Sequence, residues 1–355
     1  MRLKHVMALL CALVFNIAGA SAISFASGLP FAGVFGGGAV VSIFGGASSG
    51  QVNMAVQREI WMNAIVEGLF ADNSFLSKAI NADGFVNMGK SVWIPNAGAP
   101  SGVKKNRTTL PASVEKRTDA ALKFDLDEYT TDPILIPHAE TVELSYNKRE
   151  SVIRQDRANL NEVIGNAFTY YWAPTTAANK ILTTGDAVTA HTAAATGNRK
   201  AFSKKDVNRA MQQFNVDNVP QEGRYMLVDA IMYSQLLDSM TEKEETAFHN
   251  LADIRNGVVG KLYTFNIMMR SKALRYTGAG AAKEWTTAGA VTDNAAVLAW
   301  HENSVCRALG EVVMYDNMGD PTFYGDIYSF LVRCAGRPMR SDVKGLLAIV
   351  QDTAA

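Results

Sequence analysis

One stretch limits the possible folds of this chain more than any other. From Asn147 to Trp172, Ile153, Leu160, Ile164, Ala167 and Tyr171 recur at helical spacing, and Glu150 precedes Arg154 by four residues. At 1.5 Å per residue the pattern predicts a rod of roughly 40 Å, long for a globular helix. Arg157, one turn after Ile153, is the one break in the apolar stripe, and Pro174 stops the helix.

The flanking sequence reads as strands and shorter helices. Ala55 to Ile80 carries Val56, Ile60, Ile65, Leu69, Phe70 and Leu76 between charged residues, which suits one or two amphipathic helices. Lys90 to Pro95 reads as a short strand, and residues 96–118, rich in Gly, Pro, Lys, Arg and Thr, as an exposed loop. Leu122 to Asp127 alternates strictly, and so does Val142 to Tyr146; with Asp132-Pro133 and Pro137 between them they predict a long hairpin. After a Thr/Ala/Gly-rich connector, Ser203 and Asp206 form a capping box for a helix to about Phe214. A strand at Tyr225 to Val228 and a helix at Ala230 to Leu237 follow, then strands near 262–269, 296–300, 308–315, 327–333 and 345–350. The class is mixed α+β, without a repeat.

Composition narrows the role. Hydrophobic residues make up 48% of the 355, enough for a sizeable core. Lys+Arg and Asp+Glu are 34 each, so gripping nucleic acid through its phosphates is not the main task. Cys11, Cys306 and Cys334 are too few and too scattered for a disulfide framework or a four-ligand zinc site, and the body reads as a protein of a reducing compartment. The N-terminus conflicts with this. From Val6 to Gln57 there is no charged residue, and Arg2 and Lys4 precede an apolar run to Ala18 with Ala20-Ser21-Ala22 behind it. Three readings stand open: a secretory signal, an apolar assembly arm, or codons upstream of a true start at Met54.

Several fragments imitate catalytic motifs. Gly84 to Ser91 (GFVNMGKS) fits the phosphate-loop formula, with Asp229 after a strand as its magnesium partner, but helical sequence precedes it and a strand follows, the inverse of the required order. Lys90 is therefore expected at a strand entrance. Ser48 in Gly46 to Gly50 (GASSG) fits the nucleophile-elbow formula without a nominable acid and histidine. His138 with Glu140, and His301 beside Glu302, lack further metal ligands nearby. His5, His191 and His249 stand apart, Cys306 and Cys334 suit small buried hydrophobes, and Asn106 to Thr108 is a glycosylation acceptor only in a eukaryotic secretory pathway. No catalytic, cofactor-binding or metal residue is assigned, and no cofactor is expected.

Other segments carry a resemblance. Arg58 to Trp61 (REIW), Gly89 to Pro95 (GKSVWIP) and Phe124 to Pro133 (FDLDEYTTDP) come before the long helix. Val219 to Val228 (VPQEGRYMLV), Ile254 to Tyr263 (IRNGVVGKLY) and Gly319 to Asp326 (GDPTFYGD) come after it. In this order, Ala55 to Gln351 resembles the major capsid proteins of tailed bacteriophages, which share the Hong Kong 97-type fold. The resemblance implies an α+β subunit with a spine helix, an extended hairpin loop, and peripheral and axial domains. It divides the chain into 1–54 (signal-like segment or arm), 55–99 (start of the peripheral domain), 100–146 (extended loop overlapping a neighbour), 147–200 (spine helix and connector), 201–319 (axial domain) and 320–355 (final strands).

The implied function is self-assembly into the pentamers and hexamers of an icosahedral head, with no catalysis, in the virion after assembly in the host cytoplasm. Implied partners are further copies of the chain, with scaffolding, portal and decoration proteins and only weak non-specific contact with packaged DNA; a membrane is not expected. An encapsulin-type compartment shares the implied fold. Contrasting readings are a secreted or envelope protein, from residues 1–22, and a nucleotide-binding enzyme, from Gly84 to Ser91.

Overall fold

The computed structural model describes residues 73–87, 90–96, 120–137, 148–340 and 342–354, together with parts of 102–116. Residues 1–72, with the N-terminal readings, the helices expected before Asn73 and Ser48, lie outside the described residues, as do His138, Glu140 and the strand expected at Val142 to Tyr146.

Before the long helix the chain runs in short pieces. A 3-10 turn at Ser74–Lys78 leads to β1 (Ile80–Asn81), β2 (Val86–Asn87), β3 (Ser91–Asn96), β4 (Ala120–Asp125), β5 (Asp127–Thr130) and β6 (Ile134–Pro137). The helix, α1, is Lys148–Tyr171. Beyond it come β7 (Lys180–Leu182), β8 (Ala187–Thr189), β9 (Asn198–Lys200), α2 (Lys204–Val216), β10 (Arg224–Asp229), α3 (Ala230–Asp238) and α4 (Glu242–His249). The last part is all strand: β11 (Val258–Leu262), β12 (Phe265–Arg270), β13 (Leu274–Tyr276), β14 (Asn294–His301), β15 (Val305–Asp320), β16 (Gly325–Pro338) and β17 (Leu346–Val350).

Two large sheets organise these elements. One has the order β11-β12-β10-β14-β17-β7, with β13 also on β14; the other has β1-β15-β16-β5, with β6 also on β16. In the first, β10 runs parallel to β12 and β17 parallel to β7, while β14 is antiparallel to both β10 and β17. Every residue of β14 is buried, so this strand is covered on both faces. Ala295, Val297 and Ala299 pack toward α2, α3 and α4 with Val207, Phe214, Met232, Leu236 and Phe248. The alternate residues, Ala296, Leu298 and Trp300, face the other way, and there Trp300 meets Trp172 at the end of α1, ring centroids 5.8 Å apart.

Where its burial is described, from Arg154 on, the stripe on α1 goes into the core at Leu160. Leu160, Ile164, Phe168 and Trp172 follow one another at intervals of four and are all buried, whereas Arg154 to Asn159 are exposed or half-buried. Ala167 and Tyr171, expected in the stripe, are half-buried beside it. Glycine at 165 is required by close approach: a Cβ there would stand 2.2 Å from Asn73 Oδ1.

Two sequence expectations need correction and one pairing is new. β4 pairs in register with β3, Val92 opposite Phe124 and Trp93 opposite Lys123, whereas the strand expected at 142–146 lies outside the described residues. The single strand expected at 262–269 is two, β11 and β12, folded back at Tyr263-Thr264. Tyr263 takes the left-handed conformation there (φ 52), a turn with no Gly or Asn to announce it. The strands expected at 308–315 and 327–333 extend to 16 and 14 residues and form one long hairpin. Helix α4 was not expected, although Thr241 and Glu244 form a capping box at its start.

Leu160→Pro removes a backbone donor where α1 enters the core and should cost about 3 kcal/mol or more. The expected result is loss of soluble folded protein, whereas reversing Lys104 and Lys105 in the loop leaves the circular dichroism spectrum unchanged. If both variants lose structure equally, the core assignment of α1 is wrong.

Candidate functional site

The phosphate-loop look-alike comes apart in the structure. Gly84 sits in a 3-10 turn (Asp83–Phe85), Val86–Asn87 and Ser91–Asn96 are strands, and no helix opens after Ser91 to face a phosphate. Lys90 is exposed, and its carbonyl accepts the Leu126 N–H at 2.8 Å, holding the entrance of β3 against β4. Asp229, the would-be magnesium ligand, caps α3 instead: Oδ1 accepts Met232 N–H at 2.7 Å and Oδ2 lies 2.9 Å from His191 Nε2.

The other candidates are likewise structural. His301 is buried and its Nδ1 accepts the Asn303 N–H at 3.1 Å; burial pushes its pKa down. Cys306 and Cys334 are buried in the β15–β16 hairpin, and burial pushes their thiols up to about 11 and about 12, far from nucleophilic. Asn106 stands in an exposed turn with φ 49. Among the described residues no three His, Cys, Asp or Glu side chains cluster as metal ligands, and no helix is long and apolar enough to cross a membrane.

What the fold does build are joints and open surfaces. Beside the aromatic joint at Trp172, polar groups tie α1 to the seven-stranded sheet: Lys272 Nζ meets Glu162 at 2.6 Å, and Arg270 donates to Asn166 Oδ1 at 2.6 Å. Burial pushes the Arg270 guanidinium down to about 10, against the pull of Glu162. A cleft of about 410 Å³ opens here, walled by α1, Tyr129 of β5 and Glu284 to Thr286 of the strap between β13 and β14. On its floor Tyr129 and Tyr171 share a hydrogen bond of 2.7 Å, and Tyr171 donates to Asp127. Burial, opposed by the Tyr171 hydrogen bond, leaves the Tyr129 hydroxyl at about 12.

The strap is held by charge. Asp293, buried, accepts Lys283 Nζ at 2.7 Å and Ala290 N–H at 2.9 Å, with Arg275 Nη1 at 3.7 Å. Arg275, equally buried, donates to the carbonyls of Glu284 and Thr287 and lies over the Trp285 ring. Burial works against the Asp293 charge, but Lys283, the Ala290 N–H and Arg275 outweigh it and hold the carboxyl below its usual range. No sequence pattern announced this cluster, because its members meet only across the strap. The β15–β16 hairpin carries β5 along one side and exposes Phe323 and Tyr324 at its tip.

Two tests follow. Lys90→Ala should leave the melting temperature within about a degree and the wild type should bind no ATP at millimolar concentration; magnesium-dependent binding lost in the variant would reverse this. Asp293→Asn leaves the buried Arg275 and the half-buried Lys283 uncompensated and should cost about 3 kcal/mol or more, seen first as proteolysis within 277–292. Because the folded pKa is depressed, this stabilisation is complete above the unfolded value of about 3.9 and is lost as pH falls through the folded value. An acid transition unchanged in Asp293→Asn would refute the assignment.

Comparison with known proteins gives one kind of match. No family model and no curated protein matches the sequence. Among solved structures, the capsid of Ralstonia phage GP4 superposes with a TM-score of 0.55 at 12% identity, covering 76% of this chain and 85% of that one. The acid-stable capsid of Helicobacter pylori bacteriophage KHP30 gives 0.52 at 11% identity over 78% and 90%. The capsid of Cyanophage P-SCSP1u gives 0.50 at 18% over 76% and 85%. The two-sheet body with its long α1 thus has the Hong Kong 97-type fold, the α+β fold of tailed-phage capsid proteins.

Proposed function

We propose that this chain is a major capsid protein that self-assembles into the pentamers and hexamers of an icosahedral phage head. The observation that carries the reading is the match to the Ralstonia phage GP4 capsid over 76% of the chain. In this reading α1 is the spine helix and residues 100–146 reach a neighbouring subunit. In this reading the axial unit is the seven-stranded sheet with α2, α3 and α4, including β7 and β17, and β15 and β16 belong to the peripheral layer; their separate sheets support that division. Heterologous contacts between such subunits close into rings. The equal numbers of acidic and basic residues suit a shell that encloses DNA without adhering to it. Scaffolding, portal and decoration proteins are the further partners of this reading, the virion is its location, and no catalytic step enters it.

Negative-stain microscopy of the expressed protein tests it: shells or rings are expected, and a dispersed monomer at high concentration removes the reading. A chain beginning at Met54 should assemble and be more soluble, because it lacks the charge-free run Val6 to Gln57. Mass spectrometry of native particles should then find an N-terminus at Met54 or Ala55. A mature N-terminus at Ile23 from a secreted fraction would favour the envelope reading instead.

A further inference from the structure

The cleft beside α1 offers hydrogen bonds of one kind. Its floor is a chain of three groups whose proton order is set by the carboxylate at its end. Tyr171 donates to Asp127, so its oxygen accepts from Tyr129, 2.7 Å away. The Tyr129 proton is thereby spent, and the floor presents the lone pairs of the Tyr129 oxygen to the cleft. Asp127 itself is exposed and forms no salt bridge among the described residues, so the chain ends on an uncompensated negative charge.

The donors of the walls are committed in the same way. Lys272 Nζ lies on Glu162 at 2.6 Å, Thr286 donates to Glu284 at 3.2 Å, and the Trp285 indole N–H donates to the Ala273 carbonyl at 3.4 Å. Arg270 is divided between Asn166 Oδ1 and the carbonyls of Glu162 and Lys272. Glu284, in contrast, is exposed at the cleft with no cation on it among the described residues. Burial is the largest cause of the raised Tyr129 pKa, and Asp127 and Glu284 both add to it, so negative charge acts on the cleft floor. Asn159 and Tyr170 carry donor and acceptor alike and leave the balance unchanged.

Apolar surface completes the wall. Val163, Ala167 and the Tyr170 and Trp285 rings line it, and Trp285 already carries the Arg275 guanidinium 5.0 Å from its ring centre. A volume of about 410 Å³ with a few convergent polar groups on an aromatic and aliphatic wall is that of a small-molecule site. The matching guest has donors and no acceptor, a positive charge and a short apolar stem. An alkylammonium meets these terms, with three N–H donors on a methylene chain. An anion would meet only lone pairs and carboxylates, and an alcohol would leave Glu284 uncompensated.

We propose that the cleft binds a small aliphatic amine, its ammonium donating to the Tyr129 oxygen and the Glu284 carboxylate and its methylenes lying on Val163, Ala167 and Trp285. Because α1, β5 and the strap each supply a wall, the bound amine joins the long helix to both large sheets. The site lies within one subunit and does not depend on the shell-building reading.

Calorimetric titration of the full chain with putrescine at low salt tests it, with butanediol as the uncharged isostere. Putrescine should bind at one site per chain and about tenfold or more tighter than the diol, the difference expected of charge-assisted hydrogen bonds. Glu284→Gln and Tyr129→Phe should each weaken putrescine about fivefold or more with an unchanged circular dichroism spectrum. Glu242→Gln, an exposed carboxylate on α4 outside the cleft, should leave its affinity within about twofold. Glu284 is exposed, so its variant keeps the fold and reads binding alone. Putrescine that binds no better than the diol, an affinity unchanged in Glu284→Gln, or equal weakening by Glu242→Gln, which marks loose charge attraction, overturns the site.

Discussion

The contact between Trp172 and Trp300 is the constraint on which the rest of the structure depends. Trp172 closes α1 and is wholly buried, its indole N–H donating to the Cys306 carbonyl at 2.9 Å. Its ring lies 5.8 Å from Trp300 and 5.7 Å from Phe75. Trp300, in the central strand of the seven-stranded sheet, donates to the Lys78 carbonyl at 2.9 Å. One aromatic cluster therefore ties together the helix, both large sheets and the turn that leads into β1. Each indole N–H is satisfied by a backbone carbonyl, so burying the pair leaves no polar group unpaired. At Gly336 a Cβ would stand 2.8 Å from Trp172 Nε1, which is how β16 comes close enough to join the cluster.

The sequence revealed the elements whose signal is local. The long helix, the Ser203 cap and the buried strands β14 and β17 follow from periodicity and capping, and they fall within a few residues of their expected places. Pairing was less legible, because alternation says that a stretch is a strand and not which strand lies beside it. Leu122 to Asp127 has the pattern of a hairpin arm and pairs upstream with β3. The Tyr263 turn was invisible for a related reason: the pairing of β11 with β12 sets a tyrosine in a backbone conformation its own chemistry does not favour.

The surfaces were half legible. The basic run at 104–117 stands out in the sequence, but the acidic partner read there, Asp125 to Asp132, is only one edge of the charged region. Register joins Glu128 to Arg333, and Arg333 reaches Glu311, so carboxylates about two hundred residues apart in sequence become one surface. The buried cluster at Asp293 was wholly illegible. Its residues, at 275, 283 and 293, look like ordinary exposed charges of a polar connector until the strap folds over them.

An open strand edge is a hazard as well as an opportunity, and charge decides which. Two copies meeting edge to edge through β15 would set Asp316, Glu311 and Asp320 near their own counterparts, and like charges across a strand pair are destabilising. The register shifts on either side of Val312–Asn317 keep the regular edge short and twist its ends away. Self-pairing along this edge is thus opposed by its own carboxylates. The neutral total of 34 basic and 34 acidic residues conceals this local excess.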